Sequence, residues 1–286
     1  MARASDNQRN QLELGATMSE DTTIENVAEY WNRQPCNIKH SNSEFGTKKY
    51  FDEIENRKYY VEPHIKKFAD FAQWRDKRVL EIGCGIGTDA VNFVRAGALY
   101  TGIELSKVSL DVTKKRFAVY NLQPEALLEG NAEELDKIFP VITNPSKQFD
   151  LIYSFGVLHH TPQPRRVIEK IVELNLLKEE TGELRIMVYA TRSWIAAMIE
   201  AGFDQPEAQS NCPIAYTFTN ESVHRLMANL FTVKSIEQDH IFPYVFEKYK
   251  NYEYEIQPCF KVMPSGMFRA LEKALGWHLL VIAKRK

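Results

Sequence analysis

The chain has 286 residues, 44% of them hydrophobic and 26% charged, with a formal net charge of −2. That balance is the one ordinary water-soluble globular proteins show, and the length suffices for one large α/β domain or two small ones. Lys and Arg are scattered rather than run together, which argues against a nucleic-acid partner, and no apolar run approaches the ~20 residues of a membrane span, so no membrane partner is expected.

Residues 1–20 are polar and mixed in charge, without the apolar stretch of a secretory signal, and read as a disordered leader. The four cysteines, Cys36, Cys84, Cys212 and Cys259, lie far apart. They read as reduced thiols of a cytoplasmic protein, and no Cys/His spacing suggests a metal site. Residues 21–75 carry two aromatic stretches, AEYWN (28–32) and NRKYYVEPHI (56–65), ahead of the first clear strand. This region reads as an N-terminal lid or cap, and residues 76–286 as the main domain.

From residue 78 onward strand and helix patterns alternate. RVLEIG (78–83) is a strand and TDAVNFVRAG (88–97) a helix closed by Gly97. LYTGIEL (99–105) is the second strand, followed by a helix from Ser106, a good N-cap. EALLEG (125–130) is a third strand and AEELDKIF (132–139) a short helix. FDLIYSF (149–155) is a fourth strand, apolar throughout as buried parallel strands are. A helix over 164–177 leads to the fifth strand, GELRIMVYA (182–190). Residues 191–217 are irregular, with Pro206 and Pro213. A helix (219–231), a strand (232–241), an aromatic stretch (242–264), a further helix (267–276) and a last strand (277–286) complete the chain. The predicted fold is α/β: a Rossmann-like, seven-stranded, mostly parallel sheet with helices on both faces, capped by residues 21–75 and by insertions at 191–217 and 242–264.

The chemistry-bearing stretch is VLEIGCGIGTD (79–89). Gly83, Gly85 and Gly87 follow the first strand directly, where an open parallel sheet binds its ligand. A tight turn serving only the fold would look the same. Glu104 ends the second strand 21 residues after Gly83, where a carboxylate reaches ribose hydroxyls in dinucleotide folds. No Gly-Lys-Ser/Thr follows, which excludes a P-loop, and Thr88 stands where a dinucleotide fingerprint needs its third glycine. Glu81, two positions before the first glycine, repels a pyrophosphate and suits a cationic nucleoside.

VLEIGCGIGTD, GIELS, EGNAEEL and FDLIYSFGVLHHTP, in that order, resemble class I S-adenosylmethionine-dependent methyltransferases, especially the UbiE-like small-molecule branch. The resemblance covers about residues 77–190. It implies S-adenosylmethionine as cofactor and a small-molecule acceptor. Glu81, Gly83, Cys84, Gly85 and Gly87 would hold the methionine half, with Thr88 beside them. Glu104 would take the ribose, with Leu105 on adenine and Ser106 next to it. Asn131, where the branch usually has Asp, and the Ala132 N–H would meet the adenine edge, with Glu133 adjacent. Plain helix capping is the other reading of Asn131 and Glu133. Ser154, Phe155 and Gly156 would border the reactive methyl. His159 lies further along this stretch and, with His160 behind it, is the candidate base; a place along the cofactor without proton transfer, or a structural role, is its alternative.

Tyr30, Trp31, Tyr59, Tyr60 and His64 upstream, and Tyr189, Trp194 and Tyr216 downstream, are candidates for closing the site and contacting a partly apolar or aromatic acceptor. Core packing is the other reading of these rings. Two further functions remain open on the sequence: an enzyme that uses S-adenosylmethionine without transferring its methyl, and a non-catalytic scaffold.

Overall fold

A computed structural model describes residues 23–202, 212–249, 251 and 253–286. The expected leader, residues 1–20, and Pro206 of the first expected insertion lie outside the described residues.

Among the described residues, three α-helices precede the sheet: α1 (Ile24–Arg33), α2 (Lys48–Val61) and α3 (His64–Ala69). Thr47 starts α2, its hydroxyl accepting the Tyr50 N–H at 3.2 Å. The alternating part then runs β1 (Arg78–Ile82), α4 (Thr88–Arg95), β2 (Leu99–Glu104), α5 (Lys107–Val119), β3 (Ala126–Glu129), β4 (Leu151–Phe155), α6 (Pro164–Glu173) and β5 (Glu183–Ala190). After it come α7 (Trp194–Glu200), β6 (Thr217–Phe218), α8 (Asn220–Met227), β7 (Phe231–Asp239), α9 (Phe246–Tyr249), α10 (Pro258–Lys261), α11 (Ser265–Leu275) and β8 (His278–Arg285).

The sheet order is β3-β2-β1-β4-β5-β8-β7, with β6 added against β5. The first five strands are parallel, and β8 runs antiparallel between β5 and β7. All seven expected strands are present. The eighth, β6, falls at the end of the expected insertion. β4 stops at Phe155, opposite Met187, and Thr217 and Phe218 take over the edge of β5 beside Tyr189 and Ala190. Backbone groups at that edge would otherwise lack partners. The expected helix over 132–139 is a 3-10 helix, Ala132–Lys137.

Helices on both faces bury the sheet, and the sides alternate along each strand. On β1, Leu80 and Ile82 join Ile152, Ile186 and Val281 under α6 and α8. Val79 on the other face joins Phe93, Tyr100, Tyr153 and Trp74. α2 is not peripheral. Its Tyr50, Phe51 and Ile54 are buried against Ile86 and Val112, and Arg116, fully buried on α5, donates to the Phe51 carbonyl at 3.0 Å.

Candidate functional site

Strand order reverses between β1 and β4, since β1 pairs with both β2 and β4. A crevice opens at the carboxyl ends of the strands at such a point. Here it deepens into a cavity of about 250 Å³, roofed by α1 and bordered by α2 and by the 240–249 and 277–278 segments.

The glycine turn forms one wall. Gly83 (φ +76°) lies so close to Val157 that a Cβ would stand 2.2 Å from its Cγ2. Gly85 (φ +55°) has open space where a Cβ would be, so bare backbone faces the cavity there. Glu104 closes the turn from β2. Its Oε2 accepts the Gly85 N–H at 2.7 Å and its Oε1 the Ser106 N–H at 2.9 Å. Burial raises the Glu104 carboxyl, and the Ser106 and Gly85 amides work against that rise. A carboxylate has about four lone-pair sites, so two remain for a diol.

The cavity wall carries four carboxylates, Glu62, Glu81, Asp89 and Glu104, against two cations, Arg57 and Lys58. Glu81 accepts from the Tyr100 hydroxyl. Burial, with Asp89 nearby, pushes its carboxyl up to about 8. Asp89 is bound three ways: Lys58 Nζ at 2.9 Å, Tyr59 Oη at 2.8 Å and Tyr153 Oη at 3.1 Å. Burial opposes the charge on Lys58, but Asp89 and Glu62 outweigh it and raise the ammonium.

The two ends of the cavity differ. One is framed by Gly83, Gly85, Ile103, Glu104, Leu105, Asn131 and Ala132. The other is aromatic and histidine-rich: Phe155, Tyr189, His240, Phe242, Tyr249, Trp277 and His278. Tyr189 and Trp277 stack at 4.3 Å between ring centroids.

Among the residues expected from the sequence, Glu81, Gly83, Cys84, Gly85, Thr88, Glu104, Leu105, Asn131, Ala132, Phe155, Gly156, Trp31 and Tyr189 line the cavity. The Asn131 side chain caps the 3-10 helix, accepting the Glu133 N–H at 2.9 Å. Gly87, Ser106, Glu133 and Ser154 stand behind the wall. Ser106 caps α5 and bonds Asn32 Oδ1 at 2.9 Å; Glu133 accepts the Gln163 N–H; Ser154 donates to the Ile82 carbonyl.

His159 stands apart from the cavity lining. It is fully buried and does not border the cavity; both ring nitrogens lack a hydrogen-bond partner, and the ring packs on Tyr189. Burial, with His160 beside it, holds it well below the usual range and thus neutral. The 3-10 turn Leu158–His160 points His160 into the cavity instead. Its Nδ1 lies 2.6 Å from the Ile214 carbonyl. A carbonyl has no proton to give, so Nδ1 carries the proton and Nε2 the lone pair. Burial lowers this imidazole to about 4.

Several expected lid rings also stand elsewhere. Tyr30 is buried on α1, with its ring edge against Trp31. Tyr59 serves Asp89. Tyr60 is 59% exposed and packs on Tyr254. Trp194 meets Phe260. Tyr216 is a core residue whose hydroxyl reaches the Pro162 carbonyl. His64 bonds His278 behind the wall, Nε2 to Nδ1 at 2.9 Å. Lys58, Glu62, Asp89, His240, Trp277 and His278 were not singled out from the sequence. Asp89 follows the glycine turn directly, a signal that was present; the others are gathered only by the fold.

Comparison with known proteins agrees with this architecture. Residues 80–181 match the family described as Methyltransf_12, methyltransferase domain. A ubiquinone biosynthesis O-methyltransferase of Coxiella burnetii (strain Dugway 5J108-111) is 27% identical over 100 residues, 35% of this chain and 39% of that protein. Its namesake from Salmonella paratyphi A (strain ATCC 9150 / SARB42) is 27% identical over 129 residues, 44% and 49% of the two chains. The chain therefore matches these relatives over less than half of their length. Among solved structures, magnesium protoporphyrin IX methyltransferase (ChlM) from Synechocystis PCC 6803 with bound SAH superposes with a TM-score of 0.57 at 13% identity, covering 92% of this chain and 100% of that one. The [4+2]-cyclase SpnF gives 0.52 at 16% identity, with 91% and 93% covered. The fold is that of the class I S-adenosylmethionine-dependent methyltransferases. Within it, residues 80–181 are the part that matches a methyltransferase domain.

Proposed function

We propose that this protein transfers a methyl group from S-adenosylmethionine to a small, partly apolar or aromatic acceptor. The observation that carries the reading is the Gly85–Glu104 pair: bare backbone and a strand-end carboxylate on one wall of a cavity whose far end is aromatic. The donor set fits the ligand. Glu104 retains lone pairs for two ribose hydroxyls, Asn131 and Ala132 stand at the adenine end, and the surplus of carboxylates suits a cation.

When bound, S-adenosylmethionine would supply a methyl already activated by its sulfonium for in-line displacement. The chain then has little covalent work. Glu104 orients, the glycine turn permits close approach, and α1 with Trp31 excludes water. His160, whose Nε2 keeps its lone pair, is a candidate in the wall to accept a hydrogen bond from the acceptor; at about 4 its imidazole is too weak a base to take a phenolic proton outright. A cytoplasmic setting is part of this reading.

The fold does not by itself decide the reaction; a structural neighbour is a cyclase. Incubating the protein with S-adenosylmethionine and a panel of phenolic and other aromatic acceptors tests the proposal. Acceptor-dependent S-adenosylhomocysteine is the expected product. Methylthioadenosine in its place, or no binding of S-adenosylmethionine by calorimetry, would overturn it.

A further inference from the structure

The sequence offers no metal-ligand spacing, yet among the described residues the fold gathers one donor set. Ligand atoms of Glu62, His240 and His278 lie within 4.8 Å of one another in the wall of the aromatic end of the cavity. They come from three places: the C-cap of α2, the residue after β7, and the first residue of β8. We propose that Glu62, His240 and His278 bind one divalent transition-metal ion of the zinc class.

Two imidazoles and a carboxylate are a donor set that leaves coordination positions open, here towards the cavity. Donors ~2.0 to 2.2 Å from a tetrahedral zinc-class ion stand about 3.3 to 3.6 Å apart, so atoms within 4.8 Å of one another draw in by up to roughly 1.5 Å on binding. Side-chain rotations supply that.

The backbone at His240 supports the assignment independently. This non-glycine residue has φ +75°, a conformation that costs on the order of 1 kcal/mol or more and gathers at functional sites. Its carbonyl accepts the Trp277 N–H at 2.7 Å, tying the residue after β7 to the residue before β8, where His240 stacks on His278 at 4.7 Å. Buried polar rings are costly unless something uses them, and three imidazoles, those of His64, His240 and His278, are buried side by side. His64 Nε2 lies 2.9 Å from His278 Nδ1, the nitrogen that also stands 3.7 Å from Glu62 Oε1, so an ion taken up at that nitrogen would displace His64 from it.

The role follows from position and rests on the methyl-transfer reading. A metal at this end would hold an acceptor hydroxyl or thiol and favour its ionised form. The binding site itself does not depend on that reading.

The test uses the full chain, stripped with chelator and dialysed. Calorimetry with Zn2+ should give one site per chain. Glu62→Gln and His240→Gln should each weaken it by about tenfold or more, whereas His224→Gln, on exposed α8 surface, should not. Co2+ should give visible d–d bands without an intense near-ultraviolet thiolate band, a readout that needs no variant to fold. Absence of stoichiometric binding, indifference to both variants, or a thiolate band would overturn the site. S-adenosylmethionine calorimetry on the same samples separates the two ideas. Binding of S-adenosylmethionine without Zn2+ rejects only the metal site, and binding of Zn2+ without S-adenosylmethionine rejects only the proposed function.

Discussion

Glu104 and Gly85 hold each other in place: the Gly85 N–H donates to Glu104 Oε2 at 2.7 Å across the mouth of the crevice. The bond ties the glycine turn after β1 to the end of β2, so loss of the carboxylate would release the turn and, on the proposed reading, the ribose contact together. Glu104→Ala should weaken S-adenosylmethionine by roughly tenfold to a hundredfold, the range of about 1.5 to 3 kcal/mol for hydrogen bonds to a charged group. Calorimetry checks this, and wild-type affinity in the variant would remove Glu104 from the site.

Gly83 and Gly85 should separate fold from binding. A Cβ at Gly83 would meet Val157 at 2.2 Å, whereas one at Gly85 would meet nothing. Gly83→Ala should therefore lower the melting temperature by several degrees. Gly85→Ala should cost only about 1 to 2 kcal/mol for its left-handed backbone, while its methyl takes up ligand space. Thermal melts and calorimetry on the pair test the division. Intact binding by Gly85→Ala would show that the turn does not contact the ligand.

Glu81 gives a pH signature. Its folded carboxyl stands at about 8, against 4.5 for an ordinary glutamate. Between those values the folded protein holds a proton the unfolded chain has released. Stability contributed by this group is thus present at low pH and lost as pH rises towards 8. Glu81→Gln keeps an acceptor for Tyr100 and removes the titration. Ligand-free wild type should lose more stability than the variant between pH 5 and pH 8.5, by an amount on the order of a few kcal/mol. Parallel pH dependence of the two melting curves would contradict the assignment.

The parts that sequence reasoning reached are local. Strand patterns, the Gly97 and Ser106 caps, and the glycine turn with Glu104 are each written within a few residues or at a fixed offset along neighbouring strands. The choice between His159 and His160 was not written there. Adjacent histidines differ only in which way a 3-10 turn points them. Tyr30, Tyr59 and Tyr216 are alike in sequence, but burial gave them three different settings. The Glu62–His240–His278 group was illegible for a topological reason: insertion of β8 between β5 and β7 brings residue 278 beside residue 240 and over the end of α2.

The lid expected before residue 65 divides in two on physical grounds. α2 is fixed scaffold: Phe51 and Ile54 are fully buried, Lys58 is paired with buried Asp89, and Arg95 with Glu55. α1 is held more lightly. Val27 and Tyr30 are its only buried residues, and Asn32 Oδ1, accepting from Ser106 Oγ at 2.9 Å and from the Val108 N–H at 3.3 Å, ties its end to the start of α5. Trp31 reaches over the cavity to His160, 5.3 Å between ring centroids. Segments with few buried contacts open first, and a cavity used for methyl transfer must both admit a ligand and exclude water. We expect amides of residues 24–33 to exchange quickly in the free protein and to be protected once S-adenosylmethionine binds, with residues 48–61 slow in both states. Asn32→Ala removes both ties, each worth about 1 kcal/mol. It should speed exchange in α1 and weaken the ligand severalfold without moving the main melting transition. Equal protection of α1 with and without ligand would make it scaffold like α2, and the way into the cavity would then have to lie along another of its edges.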